Sequence, residues 1–217
     1  MISLSLPRNG DRPFSVLCLG AHADDIEIGC GGTLLRLLAE RPETTVRWII
    51  FSGNGARRTE ARSSAEAFFG GRAGCRLGIF DFKDGYFPFY GAAIKDVFEG
   101  LKRTIEPSLI FSHWVGDAHQ DHRVIAELTR CTFRNHLILE YEIPKYDGDL
   151  GNPNVFVPLL QDQMTRKVNF ILANFPSQAA RQWFDEATFM ALARLRGVGC
   201  NAAEGVAEAF HSAKLTI

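Results

Sequence analysis

Five short apolar runs, each followed by a stretch of different periodicity, constrain this chain more than any other feature. The first, "FSVLCLG" (Phe14 to Gly20), is almost continuously apolar. That is how a strand buried on both faces of a parallel sheet reads. In "GGTLLRLLAER" the residues Leu34, Leu35, Leu37 and Leu38 fall near helical spacing. "TTVRWIIFS" (Thr44 to Ser52) reads as a second strand, and "RRTEARSSAEAFFGG" as a helix stopped by glycines. "CRLGIFDF", "SLIFSHW" and "HLILEYEI" read as strands three to five, separated by helices in "AAIKDVFEGLKRTIEP" and "DHRVIAELTRCTFRN". Strands alternating with helices imply βαβ units, and right-handed crossovers place helices on both faces of the sheet. The expected fold is α/β, a three-layer α/β/α sandwich on a mostly parallel sheet. Beyond the turn-rich loop "YDGDLGNPNVF", two helices are expected in "LLQDQMTRKVNFILANF" and "DEATFMALARLRG". "GVAEAFHSAKLTI" is expected as a strand on the sheet edge.

A length of 217 residues suits one domain, taken as residues 1–217. With 46% hydrophobic and 23% charged residues and a net charge of -1, the chain has no like-charge block that would grip nucleic acid or a membrane surface. Cys18, Cys30, Cys75, Cys131 and Cys200 are scattered without a CxxC, which points away from a disulfide framework and from a thiolate zinc site. "MISLSLPRNGDRP" lacks the pattern of a signal peptide, and no apolar stretch approaches ~20 residues, so no membrane span and a cytoplasmic location are expected. Homo-oligomer formation is left open.

Two loops carry the chemistry. "AHADDIEIGCGGT" follows the first strand and "HQDHR" the fourth. In an open parallel sheet both loops leave the same rim, where ligands bind. His22 and Asp25 are three apart on a tight loop, and His122 completes a set of two imidazoles and one carboxylate. Such a set with an open position makes a catalytic zinc site. Asp24 and His119 are left over, the first as a general base and the second as an acid or oxyanion donor. Asp121 is placed to orient an imidazole. An aspartate pair after a strand, taken alone, more often caps the next helix. The joint occurrence at two strand ends favours the metal. "GCGG" is not GxGxxG, so a dinucleotide is not expected.

These motifs resemble the LmbE-like, or PIG-L, family of metal-dependent N-deacetylases. "FVPL", "PSQ" and "AEAF" later in the chain resemble family segments as well. The resemblance implies a Rossmann-like sandwich, a Zn2+ cofactor and an N-acetylated amino sugar or glycoconjugate as substrate. By position it implies His22, Asp25 and His122 as metal ligands, Asp24 as general base, and His119 as the histidine that stabilises the tetrahedral intermediate or protonates the amine. Arg57 in "RRTE" and Asp84 in "KDG" match family substrate-binding positions. The usual proline after the first histidine is Ala23, and the usual glutamate after the aspartates is Ile26, with Glu27 one place later.

Fe2+ or another divalent ion also suits mixed N/O ligands. Two histidines and a carboxylate describe nonheme Fe(II) oxygenases too, but oxygen chemistry has no use for Asp24. A nonenzymatic sugar- or metal-binding module on the same fold is the remaining alternative.

Overall fold

The computed structural model describes residues 3, 5, 6 and 13–215. Most of the stretch read against a signal peptide, and Thr216 and Ile217 of the final run, lie outside them. Among the described residues seven strands form one sheet: β1 (Ser15–Gly20), β2 (Thr45–Ile50), β3 (Cys75–Ile79), β4 (Leu109–His113), β5 (Ile138–Tyr141), β6 (Val155–Leu159) and β7 (Val206–His211). Their spatial order is β3-β2-β1-β4-β5-β7-β6. The first five are parallel, and β7 runs antiparallel to both β5 and β6. Six helices connect them: α1 (Asp25–Glu40), α2 (Gly55–Phe69), α3 (Gly91–Thr104), α4 (Gln120–Thr132), α5 (Gln161–Asn174) and α6 (Glu186–Gly199).

The sheet separates two apolar cores. Val16, Cys18, Trp48 and Phe111 point to the side of α1, α2, α5 and α6. Leu17, Leu19, Ile49 and Ile110 point to the side of α3 and α4. Adjacent strand residues thus fill opposite layers, which is why these runs are continuously apolar. The strand order reverses between β1 and β4, so the loops leaving their carboxyl ends flank the crevice where such sheets bind ligands.

"GCGG" serves packing. A Cβ on Gly29 would overlap the Tyr141 ring, and one on Gly32 would overlap Leu159. Their absence lets α1 lie close on the sheet. A buried ion pair fixes it there. Glu208 on β7 accepts the peptide N–H groups of Gly32 (2.8 Å) and Thr33 (2.6 Å), and Lys167 on α5 bonds both Glu208 (2.6 Å) and the Ile28 carbonyl (2.7 Å).

Three expectations change. The last run forms β7 inside the sheet, and the edge belongs to β6, which arises from the end of the loop stretch "YDGDLGNPNVF" and the "VPL" after it. Pro158 suits that edge, because it has no N–H for an outer neighbour. Helix α1 begins at Asp25, before the leucine pattern, because its first turn buries polar side chains.

Candidate metal centre and active site

Gly20 ends β1, and the chain turns at once into α1, so His22, Asp24 and Asp25 project from one tight bend. Asp24 stands at the N-cap of α1 yet makes no side-chain cap bond. The capping explanation for the aspartate pair therefore fails. Asp25 turns its carboxylate backwards instead, and Oδ2 accepts the His22 peptide N–H at 2.6 Å. Across the crevice, His113 ends β4, His119 caps α4, and Asp121 and His122 lie in the first turn of α4.

The three expected ligands converge. His22 Nδ1 lies 3.1 Å from His122 Nε2 and 3.4 Å from Asp25 Oδ2, and His122 Nε2 lies 3.6 Å from Asp25 Oδ1. Tetrahedral zinc with bonds of ~2.0–2.1 Å spaces its ligands about 3.3 Å apart. Both imidazoles turn their other nitrogen to a carboxylate. His122 Nδ1 donates to Asp117 Oδ2 at 2.9 Å. His22 Nε2 faces Asp84 Oδ1 at 3.1 Å and Asp121 Oδ2 at 3.4 Å. With the ring protons on the outer nitrogens, two lone pairs meet a carboxylate at one point. Three acceptors with no donor repel each other unless a cation lies between them, so the donor set fits a divalent metal.

These buried groups also shift one another's protonation. Burial alone would raise the Asp25 carboxyl, but the imidazoles of His122, His113 and His22 override it and hold Asp25 well below the usual range. Burial, assisted by His113, pushes His122 down to about 3. Burial also lowers His22, yet Asp25, Asp121 and Asp84 together raise it well above its ordinary value.

The remaining expected residues fall around this point. Asp24 is buried, and Arg57 Nη2 donates to its Oδ1 at 2.5 Å. Burial raises the Asp24 carboxyl, and Arg57 opposes the rise. Arg57 is itself held by Glu60 at 3.2 Å, and Glu60 accepts the Ser177 N–H and hydroxyl at 2.8 and 2.7 Å. The His119 ring stands edge-on to His22, centroids 4.9 Å apart, and its Nδ1 accepts the Asp121 N–H at 3.2 Å, leaving the proton on Nε2. Burial first, then the charge of His22, lowers the His119 pKa. Asp121 is fully buried, accepts the N–H groups of Gly85 (2.7 Å) and Phe87 (3.1 Å), and faces His22. The imidazole it meets is thus that of His22. Asp84 is 72% exposed at the mouth, on His22.

Sequence reasoning missed two neighbours. Asp117 backs His122, and its Oδ1 accepts the His119 N–H at 2.7 Å. Its signal was there to read, five residues before His122 in the same loop. His113 lies beneath the cluster, stacked on His122 at 3.9 Å with Nε2 3.1 Å from Asp25 Oδ2. It had no signal beyond its place at a strand end.

Imidazoles and a carboxylate that could hold a metal ion, beside a second buried carboxylate on this rim of a parallel sheet, are the kind of donor set that hydrolytic metal sites use. The chain belongs to the PIG-L family, described as GlcNAc-PI de-N-acetylase, whose model matches residues 17–133. That segment is just over half of the chain and holds every expected site residue. The chain is 26% identical over 181 residues to the uncharacterized deacetylase YaiS of Escherichia coli strain K12, covering 77% of this chain and 94% of YaiS. Its fold is similar to that of N,N'-diacetylchitobiose deacetylase from Pyrococcus horikoshii, with TM-score 0.71 and 21% identity over 96% of this chain and 86% of the other. It is equally similar to GalB, the 4-carboxy-2-hydroxymuconate hydratase of Pseudomonas putida KT2440, with TM-score 0.71 and 18% identity over 94% and 98% of the two chains. The fold therefore hosts more than one reaction, and function lies in the site.

Proposed function

We propose that this protein is a metal-dependent N-deacetylase that releases acetate from an N-acetylated amino sugar or its conjugate. The observation that carries the reading is the meeting of His22 Nδ1, His122 Nε2 and Asp25 at one point beside the buried Asp24. Membership of the PIG-L family and the likeness to YaiS and to the chitobiose deacetylase support it. The hydratase likeness does not select a sugar substrate, so the substrate class rests on the family.

His22, His122 and Asp25 would hold the ion, with zinc the best match to two imidazoles and a carboxylate. When bound, it supplies water of lowered pKa and polarises the amide carbonyl. Asp24 takes the proton of the attacking water. Arg57 fixes Asp24 Oδ1 and favours the carboxylate form against burial. Arg57 thereby serves the base directly, beside the substrate-binding role its position implies. His119 offers Nε2–H to the oxygen on which negative charge develops. The proton held by Asp24 then passes to the amide nitrogen, the C–N bond breaks, and acetate and a free amine leave. Asp84, exposed at the mouth, is placed to accept a sugar hydroxyl. Asp121 and Asp117 keep the two imidazoles turned inward.

The test is a panel of N-acetyl sugars, free and conjugated, assayed for primary amine, with metal content measured on the same preparation. About one divalent ion per chain, amine release that a chelator abolishes, and recovery on adding metal are expected. Fully metallated protein that releases no amine from any of them would favour the binding-module alternative.

A further inference from the structure

The segment that follows β3 carries more aromatic surface than the reaction above uses. A line of rings begins at His22 and runs outward: His22 to Phe87 at 6.1 Å, Phe87 to Phe82 at 6.2 Å, and Phe82 to Tyr90 at 6.0 Å. Phe87 is buried, while Tyr90 is 40% exposed. Beside this line Tyr86 and Phe89 form a pair 6.0 Å apart, and they are 44% and 80% exposed. Three large aromatic residues thus stand in solvent within five positions, starting two residues from Asp84. An apolar patch of this kind at the mouth of a site marks contact with a ligand.

The rings are held, not trailing. Gly85 and Phe87 give their N–H groups to Asp121, the carboxylate that also faces His22, and Gln120 on α4 bonds the Gly85 carbonyl. Phe89 N–H closes on the Tyr86 carbonyl at 2.9 Å, and residues Phe87–Tyr90 form a 3-10 turn with Pro88 in it. Helix α3 begins at the next residue. The shelf is therefore rigid relative to the metal centre, and a group seated on it has little ordering cost to meet.

Its chemistry selects the occupant. Lys83 Nζ lies 3.7 Å above the Tyr86 ring and so occupies one face of it. Phe89, the most exposed ring, has no polar handle. A group resting there meets a flat apolar face and no hydrogen-bond partner from that side chain. Polar recognition is concentrated instead at Asp84, nearer the metal centre.

We infer that Phe89 and Tyr86 form a subsite for the group attached to the acetylated sugar, and that this group is a flat, apolar aryl aglycone. The inference rests on the deacetylase reading for the sugar's position but makes its own claim about what lies beyond it. The acetamido sugar sits at the metal centre beside Asp84, and the aglycone projects over the exposed Tyr86 to stack on Phe89.

The test uses the full-length, metal-loaded protein and three N-acetylglucosaminides that differ only in aglycone: methyl, phenyl and a second sugar. Wild type should favour phenyl over methyl in kcat/KM by about tenfold or more, the scale of burying much of one ring. Phe89→Ala should bring that ratio to within about twofold, and Phe89→Trp should keep it. No phenyl preference, a ratio unchanged in Phe89→Ala, or a larger Phe89 dependence for the disaccharide would each overturn the inference. If no glycoside is deacetylated, the functional reading fails while the shelf is judged by binding. Phenyl glucoside, which lacks the acetamido group, should then receive saturation transfer at its ring protons from wild type and lose it with Phe89→Ala. Equal transfer from both proteins would overturn the subsite as well.

Discussion

Two buried polar clusters flank the first half of α1, and they are built on opposite plans. At Gly32 and Thr33, Glu208 receives two peptide N–H groups and the Lys167 ammonium, so one charge meets one charge and the carboxylate has three donors. At Asp25 the balance is broken. Asp24, Asp25, Asp117 and Asp121 are buried around the imidazoles, and the arginine and lysine side chains in contact with them are Arg57 and Lys145. The first cluster is complete as folded, as buried charges normally are. The second leaves facing acceptors that a divalent cation would reconcile. The contrast separates a cluster that holds a helix from one whose donors would suit a cation, although both are buried and both are charged.

The contrast breaks most sharply at Asp25. Asp25→Ala should lose metal by more than the roughly 10–100-fold that loss of an outer-shell partner costs, and activity should vanish with it. Its neighbour should behave differently. Asp24→Asn keeps shape and should keep metal, while kcat drops by roughly 10²–10⁴-fold, the worth of a positioned base. Metal content and turnover measured on both variants decide the assignment, and a nearly fully active Asp24→Asn would sink it.

The balanced cluster should answer to stability instead. Lys167→Met leaves Glu208 buried without its counter-ion and should cost about 3–5 kcal/mol in denaturant unfolding. The folded fraction should still bind metal in full. A variant of unchanged stability, or one that folds normally but cannot hold metal, would erase the distinction drawn between the two sites.

A smaller effect is expected at Asp117, which reaches the centre through His122 Nδ1 and the His119 peptide N–H. Asp117→Asn should weaken metal by about 10–100-fold while leaving stoichiometry at saturation unchanged. Titration against a competing chelator reads this directly, and wild-type affinity would show that His122 needs no partner.

Glu27 sharpens the comparison with the least disturbance. It lies on α1 between the clusters, fully buried, and neither oxygen makes a hydrogen bond of good geometry, the Ser64 hydroxyl being its polar neighbour. Burial pushes its carboxyl up to about 8, against the pull of the Ser64 hydroxyl. The folded state thus holds a proton that the unfolded state releases near ~4.3. The stability this gives is complete below the unfolded value and is lost as pH rises towards about 8. In chelator, the stability of Glu27→Gln relative to wild type should therefore grow between those limits. Parallel pH curves for the two proteins would contradict a neutral buried Glu27.

Much of the centre was legible because its residues are local. His22, Asp24 and Asp25 lie in one bend, and His119, Asp121 and His122 in another, so motif and strand-end rule together place them. His113 was not legible, because its importance lies in which atom it faces, whereas Asp117 stood five residues before His122 in the same loop and could have been read. Arg57 was legible as a site residue, but its closure on Asp24 through Glu60 and Ser177 joins positions 120 apart in sequence. The first turn of α1 escaped the hydrophobic pattern because Asp25 and Glu27 are polar and buried. Strand β6 was hidden for the opposite reason: five residues with a proline, entered from a turn-rich loop, carry too little periodicity to read.

By itself the sequence determined the alternation of strands and helices, the parallel character of the first five strands, and the two loops that bear the site. Those properties follow from periodicity and from short-range stereochemistry, which the chain carries locally. The tertiary structure decided that β7 enters antiparallel between β5 and β6 and brings Glu208 under α1. It also decided which nitrogen of each imidazole turns inward, and that an aromatic shelf stands beside the mouth. These depend on distances between segments far apart in the chain, and pairing, packing and buried charge fix such distances only once the whole sheet has closed around them.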